Sequence, residues 1–70
     1  MREIPLRDGM IRLGQLLKLA DLVDSGGEVR WFLDEAEITV NGEPESRRGR
    51  QLVPGDLVVV NGEELRLVAT

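Results

Sequence analysis

Three arginines, Arg47, Arg48 and Arg50, stand within four residues around Gly49, in a chain whose formal net charge is −4. Guanidinium groups grip phosphate through paired hydrogen bonds, and each phosphate they neutralise releases counterions. Such a run around a flexible glycine could straddle an RNA or DNA backbone. The same residues also suit a solvated loop whose arginines pair with Glu43 and Glu45, and the run by itself leaves both readings open. Its surroundings set it apart. Residues 34–46 carry Asp34, Glu35, Glu37, Glu43 and Glu45 with no base among them, while the first 33 residues balance five bases against five acids.

A second anion-binding possibility lies at Ser25-Gly26-Gly27, with Arg30 one helical turn on. Helix N-termini present free amides and a positive dipole end. An ordinary N-cap also explains Ser25, and the two roles are compatible: Ser25 can cap while Gly26 and Arg30 face a phosphate. Trp31 is the single tryptophan. It falls off the apolar stripe of its helix and is read as covering a satellite patch between helix and loop. Stacking on a base or shielding a partner surface are the alternatives. The acidic residues of 34–46 straddle a helix end and Pro44, which suits a solvated face better than convergence on one cation. No nucleophile–base pair, phosphate-cradling loop or dinucleotide fingerprint is present, so an enzyme is not expected.

The elements that must hold these groups are legible from periodicity. Arg2 to Leu6 alternates polar and apolar with Pro5 inside, as in an edge strand or extended arm. From Met10 to Val23 the spacing becomes helical: Leu13, Leu16, Leu17 and Ala20 share one arc, and Arg12, Gln15 and Lys18 form a polar flank. Leu19 and Leu22 fall outside the arc, so either the helix ends near Ala20 or these leucines pack under a neighbour. Gly14 permits close approach of another backbone or a ligand. Ser25 and Glu28 have capping-box spacing and open a second helix, whose core stripe is Val29, Phe32, Leu33 and Ala36.

From Glu37 onward the chain reads as strands. Asn41-Gly42 and Asn61-Gly62 are hairpin turns, the second between Leu57–Val60 and Glu64–Val68, and Pro54-Gly55 suits a type II turn. Residues 1–70 therefore form one small α+β domain: an arm or edge strand over 1–9, a two-helix unit over 10–36 and a small sheet over 37–70. Two helices pack on one face of a curved, mostly antiparallel sheet.

Composition narrows the chemistry further. Without cysteine or histidine, disulfides, thiolate sites and the commonest metal ligand and general base are excluded, and no metal or cofactor is expected. The N-terminus is charged and the longest apolar run, Leu57–Val60, is far too short to span a membrane. A soluble, cytoplasmic monomer is expected.

Arg12–Lys18, Ser25–Arg30, Ile38–Glu43, Arg47–Arg50 and Pro54–Val60, in that order and spacing, resemble the RNA-binding domain named after ribosomal protein S-four, the α-L motif. The likeness covers nearly the whole chain. It is closest to the small stand-alone bacterial members of the YaaA/YbcJ type, which share the Ser-Gly-Gly and Arg-Arg-Gly blocks. The resemblance implies non-catalytic recognition of structured ribosomal or transfer RNA, in association with the ribosome or its proteins. In the family, the two helices and the following loop face RNA. Carried over by position, this implies roles for Arg12 and Lys18 on the first helix, for Ser25, Gly26 and Arg30 on the second, and for Arg47, Arg48 and Arg50 in the loop. Gly14 stands where many members carry an acid, Gly26 where they carry a base, and Ala36 where they carry glycine. A different reading of the same residues is a protein–protein adaptor built on Trp31 and the acidic 34–46 segment.

Overall fold

Alternating residues need a partner for their apolar side, and the strands supply one another with it. In the computed structural model, which describes all of residues 1–70, β1 (Arg2–Leu6) turns Ile4 and Leu6 inward. It pairs in parallel with β7 (Glu63–Ala69), with Ile4 opposite Leu67. Pro5 is tolerated because β1 is an edge strand, with nothing beyond it to require the missing amide. β7 runs antiparallel to β6 (Leu57–Val60), which runs antiparallel to β3 (Ile38–Val40), with β4 (Glu43–Pro44) at the far edge. The opposed pairs Val40–Val58, Ile38–Val60 and Val58–Leu65 keep one face apolar throughout.

The two Asn-Gly turns are built alike. Asn41 and Gly42 have φ of 53° and 85°, and Asn61 and Gly62 have φ of 49° and 88°. Both residues of a two-residue I′ turn must be left-handed, which is why asparagine followed by glycine recurs there. The asparagines also tie strand to strand: Leu57 N–H donates to Asn41 Oδ1 at 2.9 Å, and Glu37 N–H to Asn61 Oδ1 at 2.8 Å.

The helices cover the apolar face. α1 (Leu13–Leu19) inserts Leu13, Leu16 and Leu17, and α2 (Gly26–Glu35) inserts Val29 and Leu33, with Phe32 and Ala36 partly buried beside them. The α+β architecture, with two helices on a mostly antiparallel sheet, is the expected one. Its one parallel pair, β1 with β7, closes the sheet between distant segments.

Three local expectations are corrected. The first helix does not begin at Met10, because Ile11–Arg12 forms a short strand, β2, antiparallel to β5 (Gln51–Leu52). A two-residue pairing with a segment forty positions away leaves no mark on local periodicity. The helix also stops at Leu19, since Asp21 turns left-handed at φ 63°. Leu19 is exposed, whereas Val23 returns to the core. Second, the Ser25–Glu28 capping box does not form. Ser25 is the N-cap, but its carbonyl rather than its hydroxyl does the work, accepting from Glu28 and Val29 N–H at 3.2 and 3.3 Å. Third, Trp31 covers no satellite patch, being 65% exposed.

Candidate RNA interface

The arginine loop is held by its backbone from below. Gly14 N–H donates to the Arg48 carbonyl and Leu13 N–H to the Arg50 carbonyl, both at 2.9 Å. The first amides of a helix lack partners of their own, so the loop is the cap of α1. The Arg12 N–H is taken by Gln15 Oε1 at 3.0 Å. This seam leaves little room for a side chain. A Cβ on Gly14 would meet Val29 Cγ1 at 3.3 Å and the Arg48 Cβ and carbonyl at 3.4 Å. The close approach that Gly14 permits is therefore that of the loop and of α2.

The same loop is held by a carboxylate from the side. Glu45 is anchored to β3 through its own N–H, which donates to the Ile38 carbonyl at 3.0 Å. Its Oε2 accepts from the Ser46 and Arg47 amides and from Arg47 Nε, each at 3.1 Å. Its Oε1 accepts from Arg47 Nη2 at 3.2 Å and Arg50 Nη1 at 2.7 Å. The hydrogen bonds from Arg47, then those from Arg50, hold the carboxyl near a pKa of about 2 instead of its ordinary 4.5. The Glu45 side chain is 6% exposed, yet it sits at the surface, screened by the guanidiniums it binds; Arg47 itself is 76% exposed. Desolvation accordingly opposes the shift only weakly. In return, the Arg47 pKa is raised by its hydrogen bond to Glu45.

Fixed in this way, the loop places its side chains against both helices. Arg48 and Gly49 meet Arg12 of β2 and Gln15 and Lys18 of α1 around one small concavity. Arg48 also shares a second concavity with Arg30 and Asp34 of α2 and with Ser46. Arg47 and Arg50 border a third with Gln51. Arg12, Lys18, Arg30 and Arg48 are exposed, and none of them forms an ion pair within the chain. Ser25 and Gly26 are exposed at the start of α2 and line none of these concavities.

The two readings of the loop thus divide between its residues. Arg47 and Arg50 pair with Glu45, Glu43 pairs with nothing, and Arg48 stands free. The carboxylate at the centre of the loop is the residue that sequence reasoning undervalued; the signal was an acid two positions before the first arginine. A guanidinium has five donors, so Arg47 keeps three beyond the two it gives to Glu45. The arrangement offers several cations to a polyanion. No three acidic side chains converge to hold a metal ion.

The family model for the S4 domain matches residues 4–68. A Bacillus subtilis (strain 168) protein, "Probable ribosome maturation protein RlbA", is 58% identical over 53 residues, which is 76% of this chain and 75% of that protein.

Proposed function

We propose, from the premise that this chain belongs to the S4 domain family, that it is a non-catalytic RNA-binding protein acting in ribosome maturation. The bound RNA is structured, ribosomal or transfer RNA, and is recognised through its phosphates and shape rather than its sequence. Arg12, Lys18, Arg30 and Arg48 supply the unpaired cations. Arg47 and Arg50 offer phosphates the donors that Glu45 leaves free. Ser25 and Gly26 flank this face at the exposed start of α2.

One observation carries the reading: the carbonyls of Arg48 and Arg50 cap α1, which sets Arg48 between the cations of both helices. A loop backbone already held in place need not be ordered when a phosphate arrives, which lowers the entropic cost of binding. A protein of net charge −4 gains nothing from long-range attraction, so binding rests on this local patch.

The test is binding of the purified protein to total ribosomal RNA and bulk tRNA at low and moderate salt. The comparison is a variant with Arg47→Glu, Arg48→Glu and Arg50→Glu, its fold checked by circular dichroism. Wild type is expected to bind with affinity that falls as salt rises, and the folded variant is expected not to bind. Equal binding by both removes the loop from the interface, and no binding by either removes RNA from the function.

A further inference from the structure

The outer face of α2 carries a second set of exposed groups that the RNA reading does not use. Trp31 is 65% exposed. On a helix its neighbours are the residues three and four positions away. These are Gly27, Glu28, Asp34 and Glu35, so the indole stands among three carboxylates and a position without a side chain. All three acids are exposed, and none forms an ion pair within the chain. Only Ser25 Oγ comes within 4 Å of a Cβ built on Gly27, so nothing crowds that side of the face.

Helix stability accounts for Glu28, which lies in the first turn of α2, but not for Asp34 and Glu35. The last turn of α2 contains no basic residue. Asp34 and Glu35 instead sit at the negative end of the helix dipole, where each charge costs about 0.3–1 kcal/mol. Nor does RNA account for them, since carboxylates repel phosphates. A cationic partner answers every feature at once. It neutralises three unpaired acids, relieves the helix end and offers its cations to the face of an exposed indole. Tryptophan is also the side chain most enriched among the anchors of protein interfaces.

We propose that Trp31, ringed by Glu28, Asp34 and Glu35, is a docking surface for a lysine- and arginine-rich protein segment. It lies beside the cationic face on the same helix, because Arg30 and Asp34 meet at the concavity they share with Arg48. The protein is then two-sided, with α2 dividing a surface for polyanions from one for polycations.

The experiment contains no RNA, so its outcome is independent of the RNA reading. The chain has one tryptophan and no tyrosine, and its near-ultraviolet emission therefore reports Trp31 directly. The probes are nona-arginine and, as a control, nona-glutamate peptides. Nona-arginine is expected to change the emission saturably and nona-glutamate to leave it unchanged. Glu28→Gln, Asp34→Asn and Glu35→Gln together are expected to weaken nona-arginine binding at least about fivefold at low salt. Glu3→Gln, Asp8→Asn and Glu64→Gln, an equal charge change elsewhere, should alter it less than about twofold. Trp31→Ala, followed by anisotropy of a labelled nona-arginine, should cost about threefold or more. All of these residues are exposed, and circular dichroism verifies the fold of each variant. The proposal is overturned if the first triple variant binds as tightly as wild type, or if the second weakens binding equally. It is also overturned if nona-arginine leaves the emission unchanged while ribosomal RNA quenches it, which would assign Trp31 to base stacking.

Discussion

The arginine loop and the outer face of α2 both gather like charges at the surface, and they are built in opposite ways. In the loop the backbone and two of the three guanidiniums are held: two carbonyls cap α1, Glu45 collects two guanidiniums and two amides, and Gly14 lets the layers close. On α2 nothing holds the acids or the indole except the helix that bears them. The difference separates two ways of serving a partner. A fixed array suits a stiff partner such as folded RNA, whose phosphates are spaced by its own helix. A free array suits a flexible partner that conforms to it. It also means that substitutions in the loop disturb its scaffold and binding together, while substitutions on the outer face of α2 leave that scaffold intact.

The largest effect should come from Arg48→Glu, because it strikes the fixed array at the cation shared by both helices. RNA affinity is expected to fall roughly 30-fold at moderate salt, with the salt slope reduced by about one or more. Filter binding across a salt series reads both quantities, and an unchanged slope would show that Arg48 touches no phosphate. Gly14→Ala comes next. Alanine gains up to ~1 kcal/mol of helix propensity, which offsets the strain of contacts at 3.3 and 3.4 Å. Stability should therefore shift by less than about 1 kcal/mol, while displacement of the loop lowers RNA affinity about fivefold. Urea melts and binding on the same preparation test whether the two effects separate.

Glu45→Gln should loosen the loop without unfolding the protein. The Ser46 and Arg47 amides are expected to exchange with solvent about tenfold faster while core amides keep their protection. If their exchange is unchanged, α1 holds the loop alone. The pH dependence has a defined sign. Because the folded Glu45 pKa is depressed from 4.5 to about 2, its contribution is complete above 4.5 and is lost as pH falls through about 2. The Arg47 Nε–H resonance should persist at pH 3 and broaden near pH 2. The smallest effect belongs to the free array. Glu35→Lys should leave the fold intact and stabilise α2 by about 0.5 kcal/mol, roughly 2–4 °C in Tm, through the helix dipole.

Much of this could be read before any coordinates, and the limits have physical causes. The Asn-Gly turns, the core stripes of both helices and the exposed polar flank of α1 follow from local rules, and local rules held. The pairing of Ile11–Arg12 with Gln51–Leu52 could not be read, since two residues carry no periodicity. That pairing shortens α1 and delivers the loop to its N-terminus, so the seam at Gly14 was visible only as a glycine with space for something. Glu45 was grouped with Glu43 because spacing does not tell which of two acids the chain will turn toward its arginines. Trp31 was assigned cover that the fold does not provide; helical geometry indicates which way a side chain leaves the core, not whether anything waits there.

The parallel pairing of β1 with β7 has a bearing on how the molecule comes into being. Arg2–Leu6 is made well before its only sheet partner, Glu63–Ala69. Until Glu63–Ala69 has emerged, Ile4 and Leu6 have no strand to lie against and the sheet lacks this edge. Closing so large a loop is slow relative to forming a hairpin. The hairpins flanking Asn41-Gly42 and Asn61-Gly62 can assemble early and wait as a template. For a protein proposed to serve growing ribosomes, the edge of its own sheet is thus timed by the translation of β7.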